Sequence, residues 1–388
     1  MESLSGAMMR LIANEVCAAR LDLDEYRFTD EELERLYELS KSHDLAHLVG
    51  DALIKNNLIS NGEIKSKFEK QIMTAVYRYE NINYELNRLK QVINEAEIPF
   101  ICLKGSVIRQ YYPEPWMRTS CDIDILVHED DLLRTVTLLN EKLSYKTEGK
   151  GSHNVSLFSQ GGVHLELHYT LIESDILDKA DRVLENVWEY AFPAEKYEYS
   201  LTDEMFYYYH IAHMAKHFQI GGCGVRPFID IWVLNHRLTF DEEKRESLLE
   251  NGGLLIFAKQ CEKLAEVWFG AGEHTEVTKK LENYILGGGV YGNVNNRVAV
   301  QQVKKGGKFK YAISRIWLPY DALKFHYPSL EGKKILLPFY EIRRWGKLLF
   351  KGGAKRSINE LAINNSTTPE QQVQISALLC DLGLQNNK

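Results

Sequence analysis

Apolar residues recur every three or four positions over the first quarter of the chain, which is the spacing of amphipathic helices. Thr29 is followed three residues later by a glutamate, the arrangement of a capping box at a helix start. Helical spacing continues in the apolar residues that follow: Leu33, Leu36 and Tyr37. Further helices are predicted from about residue 43 to 55 and from about 61 to 95. We therefore expect residues 1–97 to form an N-terminal helical region.

The pattern changes at Ile98, where short apolar runs that alternate with polar residues replace the helical spacing. These runs predict strands at 99–103, 121–127, 153–159 and 163–169. A short turn with two glycines separates the last two runs, which is typical of a β-hairpin. Two short helices are predicted between these strands, at 106–112 and 130–143. We assign residues 98–200 to one core built from strands and helices.

Helical spacing returns after this core. The predicted helices at 202–218 and 226–235 belong to a region, 201–286, that we expect to pack over the core. Three glycines at 287–289 and a polar run to Asn296 predict a loop or linker. The remaining segment, 297–388, is basic and aromatic and ends in a predicted short helix from about residue 369.

The composition is that of an ordinary soluble globular protein, with 45% hydrophobic and 26% charged residues. A length of 388 residues favours two or three domains. The N-terminus lacks the pattern of a signal peptide, and no apolar stretch approaches the roughly 18 residues that span a bilayer. The six cysteines form no C-x-x-C pair, which favours free thiols in a reducing compartment. We expect a cytoplasmic protein.

Charge is distributed unevenly along the chain. Between positions 304 and 356 the sequence contains fourteen Lys and Arg but only three acidic residues. This segment therefore carries a formal charge of +11, and the rest of the chain carries −18. Such asymmetry indicates an anionic partner for the C-terminal part. Aromatic residues among these charges are compatible with nucleic acid, with an anionic membrane surface, or with a helical cap whose aromatics form a core. We favour the cap.

Acidic residues that could hold a metal ion lie on two of the predicted strands. Asp122 and Asp124 are two residues apart, so their side chains point to one face of a strand. By the same period Glu166 shares a face with His164 and His168. Should the two strands pair, three carboxylates would converge, and carboxylate oxygens are ligands for Mg²⁺ or Mn²⁺. Two such ions about 4 Å apart would suit an in-line phosphoryl substitution.

A glycine turn precedes these strands. Lys104, Gly105 and Ser106 come at a predicted strand-to-helix junction, where glycine lets the backbone approach a phosphate. The N–H groups at the start of the following helix favour an anion. The order of strand, Gly-Ser, helix, Asp-x-Asp strand and later Glu strand is far more specific than any of its parts.

This order resembles the signature of the DNA polymerase beta-like nucleotidyltransferase superfamily. More closely, the chain is similar to the bacterial family called uncharacterised nucleotidyltransferases, over about residues 30–350. The likeness is carried by Leu103-Lys104-Gly105, Tyr112, Arg118, Asp122-Ile123-Asp124-Ile125-Leu126-Val127, Glu166-Leu167-His168, His217, Arg226, Asp230, Tyr327-Pro328 and Leu337-Pro338-Phe339-Tyr340. The gap between Ser106 and Asp122 is longer than in many superfamily members.

The resemblance implies a small mixed sheet flanked by helices, an α+β nucleotidyltransferase core. It implies that Asp122, Asp124 and Glu166 hold Mg²⁺ or Mn²⁺, and that Glu166 helps to deprotonate an acceptor hydroxyl. Gly105 and Ser106 would cradle the phosphates of an NTP such as ATP, and Lys104 or Arg118 would offset the phosphate charge. The implied reaction transfers a nucleoside monophosphate and releases pyrophosphate, but it leaves the acceptor unknown.

Four further residues are expected behind the primary site: His168, His217, Arg226 and Asp230. Histidines also occur at i, i+3 and i+7 along one predicted helix, which suggests either a polar face lining the cleft or a zinc site: His210, His213 and His217, with Cys223 nearby. We favour the polar face. Arg226 and Asp230, at i and i+4, would either pair with each other or reach the nucleotide.

Three functions therefore stay open at this point. The first is a nucleotidyltransferase whose acceptor is a small molecule, a sugar or a protein. The second is a transferase acting on RNA, for which the basic C-terminal segment predicts binding that weakens steeply with salt. The third is a catalytically silent protein of the same fold that binds a nucleotide as a sensor.

Overall fold

A seven-stranded mixed sheet forms the centre of the chain. The computed structural model describes residues 3–17, 26–60, 62–172, 177–289, 294–320, 323–324, 327–350, 363–364 and 368–385. The strands are β1 (Phe100–Cys102), β2 (Asp122–Val127), β3 (Lys146–Lys150), β4 (Asn154–Phe158), β5 (His164–His168), β6 (Ala191–Glu195) and β7 (Glu198–Leu201). Their order across the sheet is β3-β4-β5-β2-β1-β7-β6. The predicted α+β fold is confirmed.

The middle of this sheet brings together strands that are distant in sequence. β2 runs parallel to β5 and antiparallel to β1, while β1 also runs parallel to β7. β4 and β5 pair antiparallel, which confirms the predicted hairpin. The strands predicted at 99–103 and 121–127 are also confirmed, as β1 and β2.

Helices precede the sheet as the sequence pattern predicts. They are α1 (Leu4–Val16), α2 (Asp30–Ser42), α3 (Ala46–Lys55) and α4 (Glu63–Glu95). The Thr29 side chain accepts a hydrogen bond from the Glu32 N–H, and the Glu32 carboxylate accepts one from the Thr29 N–H, which confirms the capping box. The 33-residue α4 leads into β1, an inner strand of the sheet.

Shorter helices connect and follow the strands. Within the sheet region they are α5 (Gly105–Ile108), α6 (Leu132–Leu143) and α7 (Asp178–Leu184). After the sheet come α8 (Asp203–Ile220), α9 (Arg226–Arg237), α10 (Glu242–Asn251), α11 (Leu255–Phe269) and α12 (Glu276–Leu286). The C-terminal helices are α13 (Val294–Lys305), α14 (Lys308–Ile316), α15 (Leu337–Phe350) and α16 (Pro369–Asp381). The helices predicted after residue 202, after residue 226 and from residue 369 are thereby confirmed.

Two hydrophobic cores lie on opposite sides of the central strands. One packs α4 and α6 against the sheet and includes Ile123, Ile125, Leu165 and Leu167. The other joins α1, α2 and α3 to α8, α9 and α11, and so links the start of the chain to the helices after the sheet. Because Ile123, Ile125, Leu165 and Leu167 fill the first core, the polar residues between them face the other side.

Several expectations differ from the structure. The loop predicted up to Asn296 is wrong for its last residues, since α13 begins at Val294; residues 290–293 lie outside those described. β6 and β7 were not predicted from the sequence. The prediction that the aromatic residues of the C-terminal cap form its core holds only in part. Tyr327 and Tyr340 are buried, whereas Trp317 and Phe339 are exposed. Phe325, which the same interpretation used, lies outside the described residues.

Candidate active site

The parallel pairing of β2 with β5 places the predicted carboxylates side by side. In this register Asp122 is opposite His164, and Asp124 is opposite Glu166. Asp124 is buried, with 2% of its surface exposed, whereas Asp122 and Glu166 are half-buried. The side-by-side placement expected from the period-two pattern is therefore present in the structure.

Lys104 reaches the same cluster from the neighbouring strand. The Leu103 N–H donates to the Asp124 carbonyl at 3.0 Å, extending the pairing of β1 with β2 up to the glycine turn. The Lys104 ammonium then donates to Asp124 Oδ1 at 2.8 Å and lies 3.9 Å from Glu166 Oε2. Lys104 has a φ of 45°, which a residue with a side chain rarely adopts. Backbone strain of this kind is concentrated at functional sites.

His168 lies between the two carboxylates. Its Nε2 is 2.9 Å from Asp124 Oδ1 and 3.5 Å from Glu166 Oε2, and it acts as the donor because ionised carboxylates only accept. The other ring nitrogen, Nδ1, is buried without a hydrogen-bond partner among the described residues. The His153 ring stacks 5.8 Å from the His168 ring. His168 therefore touches the carboxylates directly.

These contacts shift the pKa values of the three acids in two directions. Burial alone would raise the pKa of Asp124, but Lys104 and His168 outweigh it and hold that pKa well below its usual range. The hydrogen bond from His168 lowers the pKa of Glu166. Burial and the adjacent Asp124 charge raise the pKa of Asp122. Asp124 and Glu166 are thus held as anions, and Asp122 is the acid that gains most from an additional cation.

Two overlapping groups of side chains are able to hold a metal ion. Asp122, His164 and Glu166 form the first, and Asp124, Glu166 and His168 form the second. In each group the ligand atoms lie within 4.8 Å of one another. Glu166 belongs to both groups and would be the shared ligand. Oxygen donors predominate, as Mg²⁺ and Mn²⁺ require.

Helix α8 contributes residues that the sequence did not single out. Tyr209 and Lys216 lie close enough to Lys104 for their charges to interact, together with His213. Burial and the Lys104 ammonium lower the pKa of Lys216 to about 8, and burial raises the pKa of the Tyr209 hydroxyl. The spacing 209, 213 and 216 is one face of a helix, and only its histidine was noted from the sequence.

The glycine turn differs in part from the expected phosphate cradle. The N–H groups of Ser106 and Val107 donate to the carbonyls of Leu103 and Lys104 at 3.2 and 3.1 Å, so the prediction that they are open to an anion is wrong. The Ser106 hydroxyl, in contrast, is buried without a partner among the described residues. It is therefore a donor that this turn leaves available.

Gly105 is needed for close packing. A Cβ at this position would come within 3.1 Å of the Ser120 Cβ, which is tighter than ordinary contact. The Arg109 guanidinium ties the two segments together by donating to the Gly105 carbonyl and to the Ser120 hydroxyl, both at 2.7 Å. The turn is thereby fixed against the residues that lead into β2.

Arg118 is held by an ion pair with Asp230. Its guanidinium donates to both carboxylate oxygens of Asp230, at 2.7 and 2.8 Å, and the Tyr112 hydroxyl donates to the same carboxylate at 2.7 Å. Arg226 donates to Asp44 at 3.0 Å. Arg226 and Asp230 therefore do not pair with each other along the helix. Arg226 pairs with Asp44, and Asp230 pairs with Arg118. These contacts anchor the long segment between the glycine turn and β2.

The histidines of α8 do not gather around a zinc position. The two metal-capable groups above are the ones found among the described residues, and His210, His213, His217 and Cys223 form no such group. His210 Nε2 instead contacts the Pro227 carbonyl at 3.1 Å, and burial lowers the pKa of His217 to about 4. His210, His213 and His217 are half-buried and their lowered pKa values keep them neutral, which is compatible with the favoured interpretation of a polar helix face.

A family model described as "Uncharacterised nucleotidyltransferase" matches residues 29–270. This match covers more than half of the chain and includes every candidate site residue. Comparisons with curated proteins and with solved structures find no match. The expected likeness beyond residue 270 is not part of the matched range. The chain belongs to the uncharacterised nucleotidyltransferase family.

Proposed function

With this family membership as the premise, we propose that the protein transfers a nucleoside monophosphate from an NTP to an acceptor hydroxyl. The observation that carries the proposal is the parallel pairing that sets Asp124 beside Glu166, with Asp122 on the same face. Acids held this close repel one another unless cations join them. A metal-dependent phosphoryl transfer explains why one polar cleft would gather all three.

The side chains present suit Mg²⁺ or Mn²⁺. Asp122, Asp124 and Glu166 would hold the ions, within the two groups whose ligand atoms lie less than 4.8 Å apart. When bound, such ions neutralise the triphosphate and polarise the reacting phosphoryl group. The raised pKa of Asp122 supports this assignment, because an added cation would relieve the repulsion from Asp124.

Glu166 is proposed as the group that receives the acceptor's proton. It is half-buried, and its hydrogen bond from His168 keeps it ionised. The acceptor oxygen would form a bond to the α-phosphorus while the bond from that phosphorus to the bridging oxygen breaks. The electron pair leaves with pyrophosphate, and the proton passes to the carboxylate.

The remaining side chains are proposed to bind and orient the phosphates. Ser106 supports this role through its buried hydroxyl, which has no partner among the described residues, and Lys104 and Lys216 supply positive charge from two different elements. Arg118 is proposed to act mainly through Asp230, holding the segment that leads to β2. Direct contact between Arg118 and the nucleotide stays a prediction.

The test is an incubation with each NTP labelled at the α-phosphate, in Mg²⁺ or Mn²⁺, with cell extract as the acceptor pool. Transfer of label should fall by about 10²-fold or more in Glu166→Gln. The matched control is Glu129→Gln. Glu129 is exposed and lies after Val127, the last residue of β2, whereas the candidate site lies at the first residues of that strand. Label in a small-molecule, sugar or protein fraction would identify the favoured acceptor class, and label in RNA would identify the alternative.

Two results would change the assignment. Metal-dependent NTP binding without transfer would favour the silent nucleotide sensor. An absence of NTP binding, or equal transfer by the parent and Glu166→Gln, would overturn the proposal.

A further inference from the structure

Exposed apolar side chains concentrate in the basic C-terminal part of the chain. Fifteen large hydrophobic residues are exposed among those described, and eight of them lie between positions 309 and 342. They are Phe309, Ile313, Ile316, Trp317, Ile335, Leu336, Phe339 and Ile342. Single exposed apolar residues are ordinary, but such a concentration marks an interaction surface.

The spacing of these residues defines two apolar faces. Phe309, Ile313 and Ile316 stand at i, i+4 and i+7 on α14, and 77%, 48% and 47% of their surfaces are exposed. Ile335, Phe339 and Ile342 repeat the same spacing from the short 3-10 turn Lys334–Leu336 into α15, with 91%, 61% and 73% exposed. Residues with this spacing lie on one side of a helix. The first face therefore lies along α14, and the second combines Ile335 of the 3-10 turn with Phe339 and Ile342 of α15.

The two faces belong to one packed unit. Leu323, Tyr327, Leu330 and Tyr340 form its small core. The Arg344 and Trp345 side chains of α15 donate to the Ile316 carbonyl at the end of α14, at 2.7 and 2.9 Å. The exposed apolar residues thus remain outside a unit that already has its own core.

The charge around these faces is strongly positive. Exposed basic residues accompany both helices: Lys310, Arg315, Lys333, Lys334, Arg343 and Lys347. The described part of the unit contains two acids, and each contacts a basic partner. Glu341 accepts from Arg344 at 2.8 Å, and Glu331 lies 3.4 Å from Lys324. The described part of the segment therefore carries a net positive charge.

We propose that residues 304–350 bind the surface of a bilayer rich in anionic lipid. Amphipathic helices with apolar residues on one side and lysines and arginines beside them bind in this way, by burying side chains among acyl chains and attracting headgroups. This surface is independent of the transfer reaction proposed above. Within the described residues, no helix has the length and hydropathy needed to cross a bilayer.

The chemistry of the exposed residues favours lipid over RNA. Ile313, Ile316, Ile335 and Ile342 are branched aliphatic side chains, which cannot stack on bases as planar aromatic rings do. A second copy of the chain is disfavoured because it would bring two strongly positive surfaces together. An anionic bilayer supplies both an apolar interior and a negative surface.

The test is co-sedimentation of the full chain with vesicles of phosphatidylcholine alone and of equal parts phosphatidylcholine and phosphatidylglycerol. We expect binding to the anionic vesicles that falls as salt rises, with little binding to the neutral ones. Ile335→Gln/Phe339→Gln/Ile342→Gln should lose about tenfold or more in affinity without a change of net charge. Lys333→Gln/Lys334→Gln should lose about fivefold for each charge.

The matched control is Met73→Gln/Leu133→Gln, which replaces equally exposed apolar residues outside the segment. It should bind vesicles as the parent does. Absence of sedimentation with anionic vesicles would overturn the proposal, as would equal losses in the control and the α15 variant. Self-association that the α15 variant abolishes, or a salt-sensitive RNA complex together with no vesicle binding, would assign the surface to those partners instead.

Discussion

The contact between Arg118 and Asp230 offers a decisive test of how the segment before β2 is held. Asp230 is completely buried and accepts three hydrogen bonds, two from Arg118 and one from the Tyr112 hydroxyl. Asp230→Asn changes one carboxylate oxygen into an amide and nearly preserves the shape. It removes the negative charge while the Arg118 guanidinium stays buried with 11% of its side chain exposed.

The expected cost follows from that uncompensated charge. Breaking a buried ion pair by removing one partner typically costs about 3–5 kcal/mol. Loss of a single ordinary hydrogen bond would cost only about 1 kcal/mol. The amide nitrogen also places N–H donors beside a guanidinium that needs acceptors. We therefore expect Asp230→Asn to lower the free energy of unfolding by about 3–5 kcal/mol, the cost of a broken buried ion pair.

Equilibrium urea unfolding followed by tryptophan fluorescence measures this cost. Trp232 lies on the same helix as Asp230, so the signal includes the region that is perturbed. Glu246→Gln is the matched control, since it removes the same charge from an exposed pair with Lys259 at 2.9 Å and should leave the unfolding midpoint unchanged. Arg118→Met combined with Asp230→Asn should cost less than the sum of the single changes.

One outcome would refute this reasoning directly. A cost below about 1 kcal/mol, accompanied by a weaker affinity for NTP, would mean that the ion pair is loosely held. Arg118 would then belong to the nucleotide site, as the sequence had suggested.

Three further predictions concern the cleft itself. Lys216 carries its charge at pH 7 and loses it as pH rises through about 8, so NTP affinity of the parent should fall from pH 7 to pH 9. Lys216→Gln should bind more weakly at pH 7 and lose that step in a binding titration. Mn²⁺ should raise the thermal unfolding midpoint of the parent, and Glu166→Gln should reduce this rise because it removes the shared ligand. Gly105→Ala should cost about 1–3 kcal/mol in urea unfolding through its contact with Ser120.

The paired acidic strands could be predicted because their pattern is local. Period-two alternation places Asp122 and Asp124 on one side of β2 and Glu166 on one side of β5, and burial of the intervening leucines and isoleucines fixes that choice. The capping box at Thr29 is equally local. In each case a few neighbouring residues specify the conformation without help from the rest of the chain.

The strands β6 and β7 could not be predicted for the opposite reason. β6 is largely exposed and contains Pro193, and its sequence has no clear alternation of apolar and polar residues. Its partner β7 is held by pairing with β1, nearly one hundred positions earlier in the chain. Their conformation comes from the edge of an existing sheet and leaves little trace in their own residues.

The positions of Tyr209 and Lys216 on α8 and the pairing of Arg118 with Asp230 also could not be predicted from the sequence. Helix α8 has buried apolar residues around most of its circumference, so its apolar pattern does not separate Tyr209 and Lys216 from their neighbours. Arg118 and Asp230 are more than one hundred positions apart, and the nearer candidate partner of Asp230 was Arg226 on the same helix. Only the packing of α9 against the segment before β2 decides between these partners.

Helix α1 has a practical consequence for anyone who would shorten this chain. The family match begins at residue 29, yet Met8, Leu11 and Ile12 are completely buried in the core shared with α3 and α11. A protein cut back to the matched range would uncover that apolar contact and would tend to aggregate. The limits of the region shared with relatives are therefore not the limits of the unit that folds. The first helix needs to be retained in any truncated form meant for biochemical work.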